Sequence, residues 1–158
     1  MQPWVADVDI QIYIGRMGDV VLRKTLDSAK PAAELFKYFA DFTTTNEWDP
    51  NTVSTTLISG DGGVGTKYHN VSSFNGNESS VDYEVVEYKP NTCIRLRGEN
   101  KYLVAVDTMT IEETPSGSRF TYEARFTFKG VARLMQPFLK KAFQKLLVEA
   151  EEGLKKVL

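Results

Sequence analysis

The fold is decided by residues 120–158, FTYEARFTFKGVARLMQPFLKKAFQKLLVEAEEGLKKVL. Over the first nine residues, apolar and polar side chains alternate, which predicts a strand with one buried face. From Val131 onward the apolar residues recur at helical spacing, which predicts one long helix over residues 131–158. Its apolar arc covers about half of the circumference, wider than the ~100° stripe of an ordinary surface helix. Such a helix needs a large apolar surface to pack against.

Two residues are expected to modify this helix. Pro137 is predicted to kink its first turns, because proline cannot donate a backbone hydrogen bond inside a helix. Gly153 lies on the apolar side near the end of the helix. We interpret this glycine as a point of close approach to the sheet, where a side chain would not fit.

Residues 53–129 are expected to form the sheet that this helix covers. Six short segments with strand-like sequences are separated there by turn sequences. The turns are Ser59–Gly65, Asn75–Asn77, Lys89–Asn91, Gly98–Asn100 and Thr114–Gly117. Because the connections are short, neighbouring strands are expected to be antiparallel. An earlier segment, Val20–Asp27, adds a seventh strand.

Two short helices are expected between Val20–Asp27 and the rest of the sheet. Ser28 can cap the first helix, Pro31 fits its first turn, and apolar residues follow at helical spacing. The second is a helical turn over Thr43–Trp48, ended by Pro50 because the residue before a proline disfavours the helical region. The result is an α+β domain with about seven antiparallel strands and one long C-terminal helix.

Composition and charge exclude several classes of protein. The chain has 158 residues and a net charge of −2, so the molecule as a whole does not attract nucleic acid or anionic lipid. No apolar run approaches the ~20 residues of a membrane span, so stable membrane insertion is not expected. The chain has one cysteine and one histidine, so we expect no disulfide, no metal site and no cofactor. These features indicate a reduced, cytoplasmic, single-domain protein that is monomeric or homodimeric.

Residues 1–17 are interpreted as an extension that precedes a single domain at residues 18–158. Over residues 8–14, valine and isoleucine alternate with other side chains, which predicts an additional half-buried strand. Three alternatives are open for this strand: it pairs at the edge of the sheet, it pairs across a dimer, or it lies outside the native chain because translation starts at Met17. The extension contains two aspartates and no basic segment, so no signal peptide is expected.

Most residues that could carry chemistry receive structural interpretations. His69 lies on the strand face opposite the aromatic residues, so we expect it to point outward. The glycine-rich segment Ser59–Gly65 lacks the ending of a phosphate loop and precedes a strand, which favours a hairpin turn. Cys93 has no neighbouring base in sequence, which favours an unreactive buried or edge thiol. The segment Trp48–Pro50 either gates a cavity or packs a helical turn onto the sheet.

Carboxylates on the predicted strands are harder to place. Asp82 and Glu84 share a face opposite apolar residues and are expected to face solvent. For Asp107 two signals conflict: a bulged turn at Gly117 puts the threonines of that strand inside, whereas its apolar residues argue for the opposite register. A shift of one residue reverses every side chain, so the face that Asp107 occupies stays open.

The order of elements resembles the START-like, helix-grip superfamily, also called SRPBCC and including the Bet v 1-like fold, and within it the polyketide cyclase/dehydrase-like proteins. The residues that carry the resemblance are Leu26–Phe36, Asn46–Pro50, Gly63–Thr66, the strand that runs into Gly130, and the helix start Leu134–Phe138. The likeness covers residues 18–158 and rests on order and spacing rather than on one motif. It implies a curved sheet wrapped around the long helix, with a cavity between them.

Three functions are compatible with this interpretation. The leading one is binding of a hydrophobic or aromatic small molecule, such as a polyketide, lipid or hormone, in the internal cavity. The second is a polyketide cyclase or dehydratase in which a cavity tyrosine or carboxylate moves protons. The third is a non-enzymatic module that binds another protein through the convex sheet face or an exposed edge.

The candidate ligand-binding residues lie on the helix, on the turn before the second strand and on the concave sheet face, where tyrosines are the main polar groups. A buried phenol needs a hydrogen-bond partner, which in a cavity can be a ligand. The ligand is expected to enter between Trp48 and the helix turn Met135–Leu139. The complete candidate set is Trp48, Tyr68, Asn70, Tyr83, Tyr102, Phe120, Tyr122, Phe126, Met135, Phe138, Leu139 and Phe143.

Overall fold

The computed structural model describes residues 7–14 and 19–158, which form one antiparallel sheet, three α-helices and two 3₁₀ segments. The strands are β1 Asp7–Ile14, β2 Val20–Ser28, β3 Thr52–Ser59, β4 Lys67–Phe74, β5 Asn77–Lys89, β6 Cys93–Glu99, β7 Leu103–Thr114 and β8 Gly117–Phe128. The α-helices are α1 Ala32–Ala40, α2 Thr45–Trp48 and α3 Gln136–Val157, and the 3₁₀ segments are Phe42–Thr44 and Gly130–Met135. The predicted helix-grip fold is confirmed.

Within these residues the strands follow the order β1-β2-β8-β7-β6-β5-β4-β3. From β3 to β8, strands that are consecutive in the chain pair side by side, because their turns are too short for a crossover. The additional strand predicted before Met17 is confirmed as β1, and it pairs with β2 of the same chain, with Ile10 opposite Lys24. The sheet therefore has eight strands: the seven predicted for the domain and the additional strand at its edge.

The two short helices lie where they were predicted, between β2 and β3, but the first begins differently. Ser28 is the last residue of β2 and does not cap the helix. Pro31 occupies the capping position of α1 without a side-chain hydrogen bond. The 3₁₀ segment and α2 together form the predicted second helical turn, which ends at Trp48. The extended conformation of Pro31 thus sets the start of α1 four residues after the last residue of the strand.

The hairpin between β7 and β8 determines which face Asp107 occupies. Its register places Met109 opposite Tyr122 and Asp107 opposite Ala124. Asp107, Met109 and Ala124 are all buried, so the apolar parity of β7 was the correct signal and the bulged-turn alternative is wrong. Gly117 has a φ of +147°, and a Cβ atom there would overlap the backbone at the end of β2. Only glycine fits this tight turn, and the turn fixes the register.

The C-terminal helix differs from the prediction at its start. Residues 130–135 form a 3₁₀ segment, and the α-helix begins at Gln136. Pro137 lies in the first turn of α3, where a missing N–H costs no helical hydrogen bond. Pro137 therefore starts the α-helix instead of kinking it. Among the described residues, no helix combines the length and the apolar character needed to cross a membrane.

The apolar arc of the C-terminal helix is covered along only part of its length. Its buried members are Phe143, Leu147, Ala150 and Leu154. Its exposed members, which lie earlier in the chain, are Leu134, Met135 and Phe138. Periodicity predicted the apolar face correctly, but the sheet reaches only the later turns of that face.

Close backbone contact and polar contacts fix the end of α3. A Cβ atom on Gly153 would overlap the carbonyl oxygen of Trp48, so this glycine makes its close approach to the end of α2 and not to the sheet. Glu151 lies 3.3 Å from the Nζ atom of Lys24, which is fully buried on β2. The Ser28 hydroxyl donates a hydrogen bond of 2.6 Å to the carbonyl oxygen of the last residue. The end of the helix is thus attached to β2 and to α2.

Candidate functional site

A cavity of about 390 Å³ lies between the inner face of the sheet and α3. Side chains from β2, β4, β5, β7 and β8 form its floor, and α2 and Phe42 close one side. Met135 at the end of the 3₁₀ segment and the residues of α3 up to Ala150 cover it. Most of the lining is aliphatic or aromatic. The volume falls within the ~300–1,000 Å³ typical of small-molecule sites.

The structure brings eight of the twelve predicted site residues to this cavity. They are Trp48, Asn70, Tyr83, Tyr122, Phe126, Met135, Leu139 and Phe143. Trp48 packs edge-on against Tyr122 with ring centroids 5.4 Å apart, and Phe126 stacks on Phe143 at 5.2 Å. Trp48 also packs against Phe39 of α1 at 6.1 Å. It therefore both lines the cavity and packs the helical turn onto the core.

Two predicted residues face inward but lie outside the cavity wall. Tyr68 packs edge-on against Phe42 at 5.7 Å and lines a separate groove. Phe120 is fully buried and stacks on Phe39 of α1 at 4.1 Å. The concave face extends beyond the area that α3 covers, and the segment from α1 to Phe42 covers these two rings.

Two other predicted residues are exposed. Tyr102 belongs to the turn between β6 and β7, where its backbone N–H donates to Oδ1 of Asn100 at 2.8 Å. The expectation that Tyr102 faces the concave side is therefore wrong. Phe138 is 78% exposed, because the first turns of α3 extend beyond the inner face of the sheet. A Phe138→Ala change is accordingly expected to cost less than about 1 kcal/mol, not the ~3–5 kcal/mol of a buried ring.

Asp107 is the buried carboxyl of the cavity, and sequence reasoning did not place it. The Tyr122 hydroxyl donates to its Oδ2 atom at 3.4 Å, whereas Oδ1 has no hydrogen-bond partner among the described residues. Burial, together with the nearby charge of Asp49, raises the pKa of Asp107 to about 7. The signal that could have found it is the alternation of Asp107 with the apolar residues Ala105 and Met109.

The phenols beside Asp107 stay protonated over the ordinary pH range. Burial, assisted by the charges of Asp107 and Asp49, raises the pKa of Tyr83 and of Tyr122 well above the usual value. Each phenol is therefore a neutral hydrogen-bonding group and not a base. The indole Nε1 of Trp48 is also buried and has no hydrogen-bond partner among the described residues. An indole N–H can only donate, so it requires an acceptor.

Two other polar residues of the cavity wall, Asp49 and Asn70, are hydrogen-bonded to neighbouring residues of the protein. Sequence reasoning missed Asp49 and predicted Asn70. Asp49 accepts hydrogen bonds of 3.0 Å from the backbone N–H of Asn51 and from the Thr52 hydroxyl. Burial raises the pKa of Asp49, and these hydrogen bonds oppose the rise. Asn70 donates to the Thr55 hydroxyl at 2.8 Å. These side chains shape the wall, whereas Asp107 and Trp48 keep polar atoms unpaired.

The remaining candidates from the sequence lie away from the cavity. His69 is partly exposed and pairs with Asp82 on the outer side of the sheet at 2.6 Å, as its predicted orientation requires. Glu84 is exposed on the same face, also as predicted. Cys93 is buried, and burial raises the pKa of its thiol. In the part of the chain that the structure describes, no three metal-ligating side chains come together.

A second depression borders the glycine-rich turn between β3 and β4. It measures about 770 Å³ and is lined by residues of α1, of that turn and by Tyr68. It is larger than the cavity under α3 but largely open to solvent. The two unpaired buried polar atoms, on Trp48 and Asp107, both belong to lining residues of the cavity under α3. We therefore take the cavity under α3 as the candidate site.

Comparisons with known proteins agree with this geometry. The chain is similar to the Zhui aromatase/cyclase from Streptomyces sp. R1128, with 13% identity and a TM-score of 0.69 over 89% of this chain and 96% of that chain. It is similar to major latex-like protein 151 from Panax ginseng, with 12% identity and a TM-score of 0.65 over 90% and 97%. It is also similar to the di-domain aromatase/cyclase StfQ from the steffimycin biosynthetic pathway, with 13% identity and a TM-score of 0.68. That match covers 87% of this chain and 50% of that chain, so this chain spans about half of the length of StfQ.

Among curated proteins, none matches this sequence. At the identities given above, likeness to solved structures shows the fold alone. The match to a family model is more informative, because it covers residues 19–158 and thus most of the chain. This chain belongs to the family described as polyketide cyclase / dehydrase and lipid transport, within the START-like, helix-grip superfamily.

Proposed function

We propose that the protein binds an apolar, largely aromatic small molecule in the cavity under α3, with an oxygen atom of the ligand directed at Asp107, Tyr122 and Trp48. The observation that carries this proposal is a buried carboxyl with an unpaired oxygen in a mostly apolar cavity. Small-molecule sites are usually concave and apolar with a few polar groups that orient the ligand. Buried polar atoms without a protein partner identify where such orientation is available.

The polar groups indicate ketones and phenols as the ligand class. Because the pKa of Asp107 is about 7, its carboxyl is largely protonated at mildly acidic pH and can then donate a hydrogen bond. The indole N–H of Trp48 can donate as well, so a ligand carbonyl oxygen accepts from this side of the cavity. A phenol also donates to Asp107 once that carboxyl ionises. A fatty acid fits less well, because its carboxylate would lie beside the carboxyls of Asp107 and Asp49.

The access route we propose passes the first turns of α3. Met135 is 54% exposed and also lines the cavity, so it stands between solvent and the interior. Its flexible side chain can adapt to ligands of different shape. The 3₁₀ segment that leads into α3 is held by i→i+3 hydrogen bonds, whose geometry is poorer than that of an α-helix, and Pro137 has no N–H to donate. These turns are therefore the least firmly fixed part of the cover.

Thermal unfolding with naringenin, emodin and palmitate tests the proposal. A ligand that binds only the folded state at a hundred times its Kd stabilises it by about 2.7 kcal/mol, or about 5–10 °C for a domain of this size. We expect a shift with the two phenolic ketones, and a smaller shift in Met135→Trp, which narrows the access route. Val148→Trp is the matched control, since Val148 is half exposed on the same helix and does not line the cavity. The proposal fails if no compound shifts the transition, or if Met135→Trp responds like wild type.

One observation favours a second function, proton transfer in a cyclase or dehydratase reaction. A carboxyl whose pKa is near 7 can serve as a general base or a general acid at neutral pH. The adjacent Tyr122 hydroxyl could stabilise the oxygen of an enolate. If this function is present, bound 1-tetralone exchanges its α-hydrogens in D₂O faster than free 1-tetralone, and Asp107→Asn abolishes the acceleration. A bound ketone without accelerated exchange in the NMR spectrum rules this function out.

A further inference from the structure

The start of the C-terminal helix carries a group of exposed apolar side chains, which we name the entrance patch. Its members are Tyr102, Val131, Leu134, Met135 and Phe138, and each has between 54% and 81% of its surface exposed. Soluble proteins expose single apolar side chains routinely, but contiguous groups of large ones mark interaction surfaces. The patch is separate from the cavity proposed above, which only Met135 also lines.

The backbone brings these side chains together. Residues three apart eclipse each other in a 3₁₀ segment, so Val131 and Leu134 lie on one side of it. Phe138 follows Leu134 by four residues and lies over the next turn. The backbone N–H of Lys129 donates to the carbonyl oxygen of Tyr102 at 2.8 Å, which holds the β6–β7 turn beside the start of this segment. The patch therefore spans two elements that a backbone hydrogen bond holds side by side.

Charge is strongly asymmetric around the patch. Residues 129–148 contain no aspartate or glutamate and five basic residues, namely Lys129, Arg133, Lys140, Lys141 and Lys145. The whole chain has a net charge of −2, so the remainder carries −7. Lys101 in the adjacent turn adds another positive charge, with its Nζ atom 4.8 Å from the centroid of the Tyr102 ring. The segment that carries the entrance patch is therefore basic in sequence, although Lys129 pairs with Glu99 at 3.0 Å and Lys145 pairs with Glu149 at 3.7 Å.

We propose that the entrance patch docks this protein peripherally on an anionic lipid bilayer. Leucine, phenylalanine and valine side chains flanked by lysine and arginine are the arrangement of helices that lie in a membrane interface. Anionic headgroups attract the basic residues, and tyrosine is favoured at the headgroup level. The patch thus supplies both an apolar and an electrostatic contribution, which sequence-wide charge did not indicate.

A lipid surface fits the patch better than a second copy of the chain. A symmetric dimer through this patch would place the basic segment of one protomer against the same segment of its partner, and like charges repel. The high exposure of Val131, Leu134 and Phe138 means that these side chains project outward instead of lining a groove. Projecting side chains can insert into a fluid acyl boundary without requiring a complementary pocket.

Co-sedimentation of the full chain with vesicles tests this proposal. The vesicles are phosphatidylcholine alone or with 30% phosphatidylglycerol, at low and high salt. We expect binding to the anionic vesicles, at least tenfold weaker binding to the neutral ones, and weakening by salt because screening reduces the electrostatic attraction. Leu134→Ser combined with Phe138→Ser is expected to reduce anionic-vesicle binding at least tenfold. Val148→Ser, on an exposed part of the same helix, is the control and should bind like wild type.

Three results would overturn docking on lipid. The first is that the wild type fails to sediment with anionic vesicles. The second is that the double variant sediments as well as the wild type. The third is that the wild type forms a dimer, the double variant does not, and neither protein binds vesicles. Thermal unfolding checks that the double variant is folded. The naringenin and emodin shifts should persist in that variant, because Leu134 and Phe138 do not line the cavity. Failure of the docking proposal is thereby distinguishable from failure of the proposed ligand site.

Discussion

The two ends of the C-terminal helix differ in how they are packed. At the closed end, which we define as residues 150–158, Leu154 is fully buried and Gly153 touches the carbonyl of Trp48. At the open end, residues 130–142, Leu134 and Phe138 are exposed although the same helical periodicity continues through them. A single amphipathic pattern therefore serves two purposes: one end holds the helix on the sheet, and the other leaves space beneath it.

The closed end of α3 and the cavity differ in how their buried charges are paired. At the closed end, fully buried Lys24 lies 3.3 Å from Glu151, which also pairs with Lys155. In the cavity, Asp107 keeps one oxygen without a hydrogen-bond partner among the described residues, and its pKa is raised to about 7. A paired buried charge is typical of structural contacts, whereas an unpaired one is typical of functional sites. The comparison identifies a structural contact at the closed end of α3, and it supports the cavity as the site of the proposed function.

The same substitution at the two ends should give the largest difference. Leu154→Ala is expected to lower the free energy of unfolding by about 2–5 kcal/mol, because it leaves a cavity in the core. Leu134→Ala, at an exposed position of the open end, should change it by less than about 0.5 kcal/mol. Urea unfolding of both variants measures the difference. Equal losses would mean that the open end is packed as tightly as the closed end.

The raised pKa of Asp107 predicts a pH dependence with a definite sign. Between its usual value of 3.8 and its folded value of about 7, the unfolded state has lost the proton that the folded state retains. Stability therefore falls as pH rises through this window, by up to about 1.4 kcal/mol per pH unit from this group, and levels off above it.

Asp107→Asn removes this titration while keeping the shape of the side chain. The variant should gain stability relative to wild type as pH rises from 4 to 8, by about 3–4 kcal/mol at most. Denaturant unfolding at several pH values gives the difference directly. A constant difference between the two proteins across that range would show that Asp107 ionises normally and that its carboxyl is solvated.

The fold was predictable because burial on one face leaves a pattern in the sequence. Alternation over Phe120–Phe128 predicted β8, and helical spacing after Gly130 predicted the C-terminal helix. The same pattern could not predict which turns of that helix are covered, because it identifies an apolar face and not what lies opposite. Phe138 and Leu154 look equivalent in sequence, and only the extent of the sheet distinguishes them.

The site was less predictable than the fold for two physical reasons. Asp107 depends on hairpin register, and a shift of one residue at Gly117 reverses its direction. Three elements cover the concave face: α3, α1 and the segment at Phe42. A ring that faces inward can therefore lie under α1 or Phe42 instead of in the cavity under α3. Phe120 lies under α1 and Tyr68 against Phe42, although both face inward as predicted. Tyr102 was misplaced because the turn before β7 extends farther than the turn residues indicated.

The central claim, that a ligand oxygen is bound beside Asp107 and Tyr122, is tested most directly by calorimetric titration of the tightest phenolic ketone. Tyr122→Phe removes one hydroxyl and keeps the ring, and it should raise Kd at least fivefold, corresponding to about 1 kcal/mol for one hydrogen bond. Tyr102→Phe makes the same change at an exposed tyrosine and should leave Kd within twofold of wild type. Equal Kd values for wild type and Tyr122→Phe, or equal losses in the two variants, would contradict a polar site at this position.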